Sequence, residues 1–237
     1  MSPAGVLRMD LVMRFVDELG PSSILEIGAG MGAAGWDLAQ GRQYVGYEPD
    51  EVACRVAAHR LSDRPRASVL NALLPADPDR QFDLVASFEV LEHIEDDRQA
   101  LGHWVRWIKP DGHLILSVPA KQERFGLYDS LVGHFRRYDK DELFDRLDSA
   151  GLDQIEIRSY GMPLGYLLEG VRNRLLSRRL SEDQGMGERT DRSGRSFQPR
   201  SAGAVIRVAT YPFVLMQRPF EETSWGIGWV AVARRPD

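Results

Sequence analysis

The sequence predicts an α/β domain in which a mostly parallel sheet is covered by helices on both faces. Two observations carry this. Short apolar runs at 24–27, 44–47, 67–70, 82–87 and 113–118 alternate with stretches of helical periodicity, and the connections between them are short. The first run also ends abruptly in alternating glycines, Gly28-Ala29-Gly30-Met31-Gly32, the pattern of a strand that turns tightly into a helix. With 237 residues, 43% of them hydrophobic, the chain is long enough for one such domain with additions.

Val6, Leu7, Leu11, Val12, Phe15, Val16 and Leu19 recur at helical spacing and Gly20-Pro21 ends the helix, which is expected to cover the sheet. The first strand follows, then a helix through Trp36 and Leu38. Tyr44 to Glu48 reads as the second strand, and Pro49-Asp50 opens a helix carrying Val52, Val56, Ala57 and Leu61. Ala67 to Leu70 is the third strand. Phe82 to Ser87 is the fourth, running into Phe88-Glu89-Val90-Leu91-Glu92-His93-Ile94 and a helix through Trp104, Trp107 and Ile108. Lys109-Pro110-Asp111-Gly112 reads as a turn and His113 to Val118 as the fifth strand. From Ala120 to Tyr138 the periodicity gives way to a long polar and aromatic loop, the usual signature of a functional lid. Asp139 then caps a helix with Leu143, Phe144 and Leu147, and Leu152 to Ile157 is a sixth strand. Met162 to Leu176 suggests an amphipathic helix, Val205 to Met216 a docked helix or strand, and Trp225 to Ala233 a final strand.

The expected organisation is a core over 1–160, an acceptor-side insertion over 161–222 with a flexible Arg-rich segment near 177–201, and a last strand within 223–237 that completes the sheet. Val171 to Arg207 holds nine arginines against four carboxylates, while the whole chain carries a net charge of −5. An acidic balance argues against a duplex nucleic-acid partner. The single cysteine, Cys54, rules out an intramolecular disulfide or a cysteine zinc site and fits a cytoplasmic setting. The charged first 20 residues lack the apolar core of a signal peptide, and no stretch reaches the length of a membrane span.

In an open parallel sheet, ligands sit beyond the carboxyl ends of the strands, and the residues of chemical interest fall there. Glu48 ends the second strand about 20 residues after the glycines, where a carboxylate reaches both hydroxyls of a ribose. Glu26, two residues before Gly28, would repel a pyrophosphate but attract an amino group and a sulfonium.

Through Glu26-Ile27-Gly28-Ala29-Gly30-Met31-Gly32, Glu48, and Phe82-Asp83-Leu84-Val85 leading to Glu89-Val90-Leu91-Glu92-His93, the sequence resembles the class I S-adenosylmethionine-dependent methyltransferases. The resemblance implies a Rossmann-like seven-stranded, mostly parallel sheet with the last strand antiparallel. It also implies that Glu26, Gly28, Gly30 and Gly32 hold the methionine end of S-adenosylmethionine, Glu48 the ribose, and Asn71 and Ala72 the adenine edge, with Phe88 also in the cofactor set. Asn71 stands where an aspartate is commoner in the family.

Glu89, Glu92 and His93 are spaced i, i+3, i+4, which puts them on one face if the stretch begins a helix. Two carboxylates and an imidazole suit Mg²⁺ or Mn²⁺. The alternative is a pair of helix N-terminal carboxylates, with His93 in solvent or acting as a general base. The Glu-x-x-Glu-His motif is similar to that of ubiquinone-biosynthesis O-methyltransferases and small-RNA 3′-end 2′-O-methyltransferases. That resemblance implies a metal on Glu89, Glu92, His93 and a further histidine, for which His134 is the available residue; without metal, His93 or His134 would take the acceptor proton. The expected function is O-methylation of a small-molecule or saccharide hydroxyl, and a homodimer is compatible with it. The competing readings are a metal-independent N- or C-methyltransferase, a non-catalytic methyltransferase-like subunit, and an NAD-dependent oxidoreductase.

Overall fold

The computed structural model describes residues 1–183 and 200–237. Seven strands form one sheet: β1 (Ser23–Ile27), β2 (Gln43–Tyr47), β3 (Ala67–Leu70), β4 (Phe82–Phe88), β5 (Ile108–Pro119), β6 (Asp153–Tyr160) and β7 (Gly228–Arg234). Their order is β3-β2-β1-β4-β5-β7-β6. The first five pair in parallel, and β7 runs antiparallel to both β5 and β6. The expected sheet, with its reversed last strand, is therefore present.

Both faces are buried because successive side chains alternate between them and nearly every position in the central strands is apolar. Ile24, Tyr44, Leu84 and Val230 pack under α1 (Pro3–Leu19), α2 (Gly35–Leu38) and α8 (Arg200–Gln217). Leu25, Val45, Val85 and Leu116 pack under α4 (Asp97–Val105) and α6 (Lys140–Ser149). The first helix begins at the Ser2 cap and stops at Gly20, whose left-handed φ of 59° closes the turn. Asp50 caps α3 (Glu51–Arg60) by accepting from the Ala53 amide. The chain visits β1, β2 and β3 outward and then returns to β4 beside β1, so the topological switch, and with it the ligand crevice, lies between the ends of β1 and β4.

Several sequence expectations need correction. Lys109 to Gly112 is not a free turn but an excursion within β5, opposite the register shift between Phe82 and Leu84; Asp111 takes a φ of 60° there. The helix expected through Trp107 and Ile108 ends at Val105, and Ile108 already opens β5. Asp139 stands at the start of α6 but accepts from the Gln122 amide rather than from its own helix. The loop from Ala120 to Tyr138 contains a helix, α5 (Leu127–Val132), and is pinned at its base, where Lys121 and Tyr138 exchange backbone bonds with Tyr138 and Pro119. Helix α7 (Leu164–Asp183) takes in most of the helix expected over Met162 to Leu176 and runs on to Asp183, since no glycine or proline interrupts Val171 to Asp183. Of the segment expected to be flexible near 177–201, residues 184–199 lie outside the described residues.

Candidate active site

At the end of β1 the chain turns through Gly28, Gly30 and Gly32, all with positive φ. A Cβ on Gly28 would lie 2.5 Å from Val90 Cγ2, whereas one on Gly30 would meet nothing within 4 Å. Gly28 thus packs against the β4 end and Gly30 faces open space. The amides here are spent inside the chain. Gly28 and Ala29 donate to the Tyr47 carbonyl, Gly32 to Ala29, and Gly30 to the Glu48 carboxylate at 2.7 Å. These bonds leave few amides to offer a phosphate and put a carboxylate in the cradle.

The second oxygen of Glu48 accepts from the Asp50 amide. The Asn71 amide donates to the Glu48 and Pro49 carbonyls, each at 3.0 Å, which fixes its carboxamide and leaves its oxygen as the outward group. Ala72 is exposed beside it, and Phe88 is buried at the end of β4 beneath the Arg8 guanidinium. Glu26 is buried below the glycine turn and accepts from the Tyr44 hydroxyl. Burial pushes its carboxyl up to about 8, against the opposing pull of the Tyr44 bond and of Arg8. Tyr44 reaches it through a slot: a Cβ on Gly35 or Gly46 would lie within 3 Å of its hydroxyl.

Beyond β4 the expected helical face does not form. Glu89 adopts a left-handed φ of 57°, Leu91–His93 is a single 3₁₀ turn, and α4 starts only at Asp97. Glu89 lies outside the tight group formed by the other candidate ligands but stays close enough to act on Glu92 and lines the same cavity as His93 and His134. Its carboxylate accepts from Ser117 and Tyr160 and pairs with Arg8 at 3.2 Å. Glu92, His93 and His134 do come together, with one donor atom of each within 4.8 Å of the others. The His93 and His134 rings meet edge to face, and His134 Nε2 lies 3.9 Å from Glu92 Oε1.

Glu92 is the anomaly of the site. It is fully buried, and neither carboxylate oxygen has a hydrogen-bond partner among the described residues. Burial, reinforced by the nearby Glu89, holds its carboxyl well above the usual carboxylate range. A buried orphan carboxylate is costly unless a cation or a proton compensates it. Burial and His134 push His93 the other way, keeping it neutral and suited to ligation. These three residues fit a divalent ion through one carboxylate and two imidazole nitrogens.

The cluster opens on a cavity of about 610 Å³ between the start of α1, α5 and α7, whose walls include Arg8, Tyr128, Tyr160, Leu168 and Ile227. Sequence reasoning missed Arg8, Tyr44, Asp129 and Glu169. Arg8 carried a signal, since it interrupts the buried face of α1; the others depend on contacts distant in sequence. The arginines of the 120–138 segment are engaged internally: Arg124 with Glu169, Arg136 with Asp97 and Arg137 with Asp129.

A seven-stranded sheet with this strand order, a glycine turn flanked by two carboxylates and a cavity beyond β4 are the architecture of a methyltransferase domain. The comparisons agree. A family profile described as a methyltransferase domain matches residues 6–157, and the chain belongs to that family. It is 32% identical over 135 residues to a ubiquinone biosynthesis O-methyltransferase of Alkalilimnicola ehrlichii, covering 54% of each chain. It is 33% identical over 134 residues to a probable S-adenosylmethionine-dependent methyltransferase of Mycobacterium tuberculosis, covering 54% of this chain and 47% of that one. The chain thus spans about half the length of the curated relatives it matches. Its fold is similar to phosphoethanolamine N-methyltransferase 2 of Haemonchus contortus in complex with S-adenosyl-L-methionine, with a TM-score of 0.60, 18% identity, and 96% of this chain and 53% of that one covered. No helix among the described residues is long and apolar enough to cross a membrane.

Proposed function

We propose that this chain transfers the methyl group of S-adenosylmethionine to a hydroxyl of a small-molecule or saccharide acceptor, with Mg²⁺ or Mn²⁺ held by Glu92, His93 and His134. The supporting observation for the metal is the buried, unpartnered Glu92 carboxylate beside two imidazoles at the mouth of the cavity. The relatives named as O-methyltransferases support the oxygen acceptor. The single buried Cys54 agrees with a reducing, cytoplasmic setting.

In this reading Glu48 binds the ribose, Asn71 Oδ1 and Ala72 meet the adenine edge, and Phe88 borders the cofactor at the end of β4. Gly28 and Gly32 shape the turn, and Gly30 leaves its face clear for the methionine portion. Glu26 favours a cofactor bearing positive charge, because a cation beside it restores its ionised form. The acceptor enters through the cavity, with its hydroxyl oriented toward the sulfonium methyl so that displacement is in line. A divalent ion lowers the pKa of an adjacent hydroxyl. In its absence the bare imidazole nitrogen of His93 or His134 is the available proton acceptor.

The test is release of S-adenosylhomocysteine with a panel of acceptors comprising a catechol, a sugar and a phenolic lipid. Activity should fall on EDTA treatment and return with Mg²⁺ or Mn²⁺. Full turnover by the metal-free protein would remove the metal from this reading.

A further inference from the structure

His134 is held by a chain of charged groups that ends on α7, outside the 6–157 family match. Its Nδ1 lies 2.9 Å from Asp129 Oδ1. Asp129 is buried and accepts from Arg137 through Nε and Nη2, each at 2.9 Å, and from the Gly126 amide. Arg137 in turn pairs with Glu169 on α7 at 3.0 Å, and Glu169 also takes Arg124. Arg137 Nε meets Oδ1 while the Gly126 amide and Arg137 Nη2 meet Oδ2, so both carboxylate oxygens act as acceptors against a paired guanidinium. An ionised carboxylate only accepts, so His134 Nδ1 must donate. The lone pair is then left on Nε2, the nitrogen facing Glu92.

We infer that Asp129 is the positioning residue of this site, fixing the tautomer and ring plane of His134, and that Glu169 makes α7 part of the same support by holding Arg137. The role of the fixed nitrogen as a metal ligand rests on the function proposed above; the tautomer does not. Outer-shell carboxylates that orient a ligating histidine contribute about 10- to 100-fold to metal affinity.

The exchange Asp129→Asn makes a sharp test. Two donors that cannot reverse, Gly126 N–H and Arg137 Nη2, meet Oδ2 against one, Arg137 Nε, at Oδ1, so the carboxamide oxygen is favoured at Oδ2. The new NH₂ then faces His134 and forces the proton to Nε2, away from Nδ1.

Nitrogen-resolved NMR of the imidazoles in the metal-free wild type at pH 8 should show His134 protonated on Nδ1; protonation on Nε2 would overturn the inference. In Asp129→Asn the proton should move to Nε2, and Mn²⁺ affinity read by electron paramagnetic resonance should drop by about 10- to 100-fold. An unchanged tautomer and affinity in a folded Asp129→Asn protein would also overturn it. Should that variant fail to fold, Glu169→Gln should weaken Mn²⁺ binding severalfold with His134 still in place, and unaltered binding would count against the role of α7. A wild type that shows the Nδ1 tautomer but binds no Mn²⁺ would support the positioning of His134 while overturning the metal reading.

Discussion

The Tyr44 hydroxyl donates to the buried Glu26 carboxylate through a slot that Gly35 and Gly46 keep open. Two adjacent strands thereby hold one carboxyl in place beneath the glycine turn.

On the proposed function, this carboxyl should make cofactor binding pH-dependent. Its value in the folded chain, about 8, is raised from an ordinary 4.5, so the folded state keeps a proton that the unfolded chain loses. Its contribution to stability is full below pH 4.5 and is lost as pH rises through about 8. A sulfonium cofactor favours the ionised form. Binding at pH 7 should therefore release about one proton, read by calorimetry in buffers of different ionisation enthalpy. Glu26→Gln should abolish the release. Tyr44→Phe should push the carboxyl higher still and cost about 1–3 kcal/mol in denaturant unfolding, because it strands a buried acceptor.

The glycine turn separates folding from binding. Gly28→Ala combines a left-handed φ with a 2.5 Å clash against Val90, and should cost about 1–3 kcal/mol of overpacking beyond the backbone strain. Gly30→Ala carries only the strain of about 1–2 kcal/mol, but its methyl enters the open face. Gly30→Ala should melt closer to wild type and lose more affinity for S-adenosylhomocysteine than Gly28→Ala.

Asp97 ties the lid to the core. Buried at the start of α4, it accepts from Tyr138 and Arg146 and pairs with Arg136 at 2.8 Å. Burial disfavours its charge, yet these three partners hold its carboxyl below the ordinary range. The stability it supplies is present above the ordinary aspartate value of about 4 and is lost as pH falls through its folded value. Asp97→Ala should cost about 3–5 kcal/mol by denaturant titration, with the deficit shrinking in acid.

Much of this fold was legible in the sequence because its determinants are local. Apolar runs marked the strands, Gly20-Pro21 and Pro49-Asp50 marked helix ends, and the alternating glycines from Gly28 to Gly32 marked the tight turn after β1. The acceptor side was less legible. The spacing of Glu89, Glu92 and His93 implied a helical face, but Glu89 is drawn into a left-handed conformation by partners from α1, β5 and β6, namely Arg8, Ser117 and Tyr160. A positive φ at a non-glycine residue is set by such long-range contacts and leaves no pattern in the chain. Asp129 and Glu169 were hidden for the same reason, since each gains its role only when α5 and α7 meet over the cavity.

Calorimetric titration of the chain with S-adenosylmethionine and, separately, with NADH tests the central claim most directly. The account predicts one S-adenosylmethionine per chain, no binding of NADH, and an affinity at least about tenfold weaker in Glu48→Ala, equivalent to about 1.4 kcal/mol. Binding of NADH, or S-adenosylmethionine binding unaffected by Glu48→Ala, would contradict it.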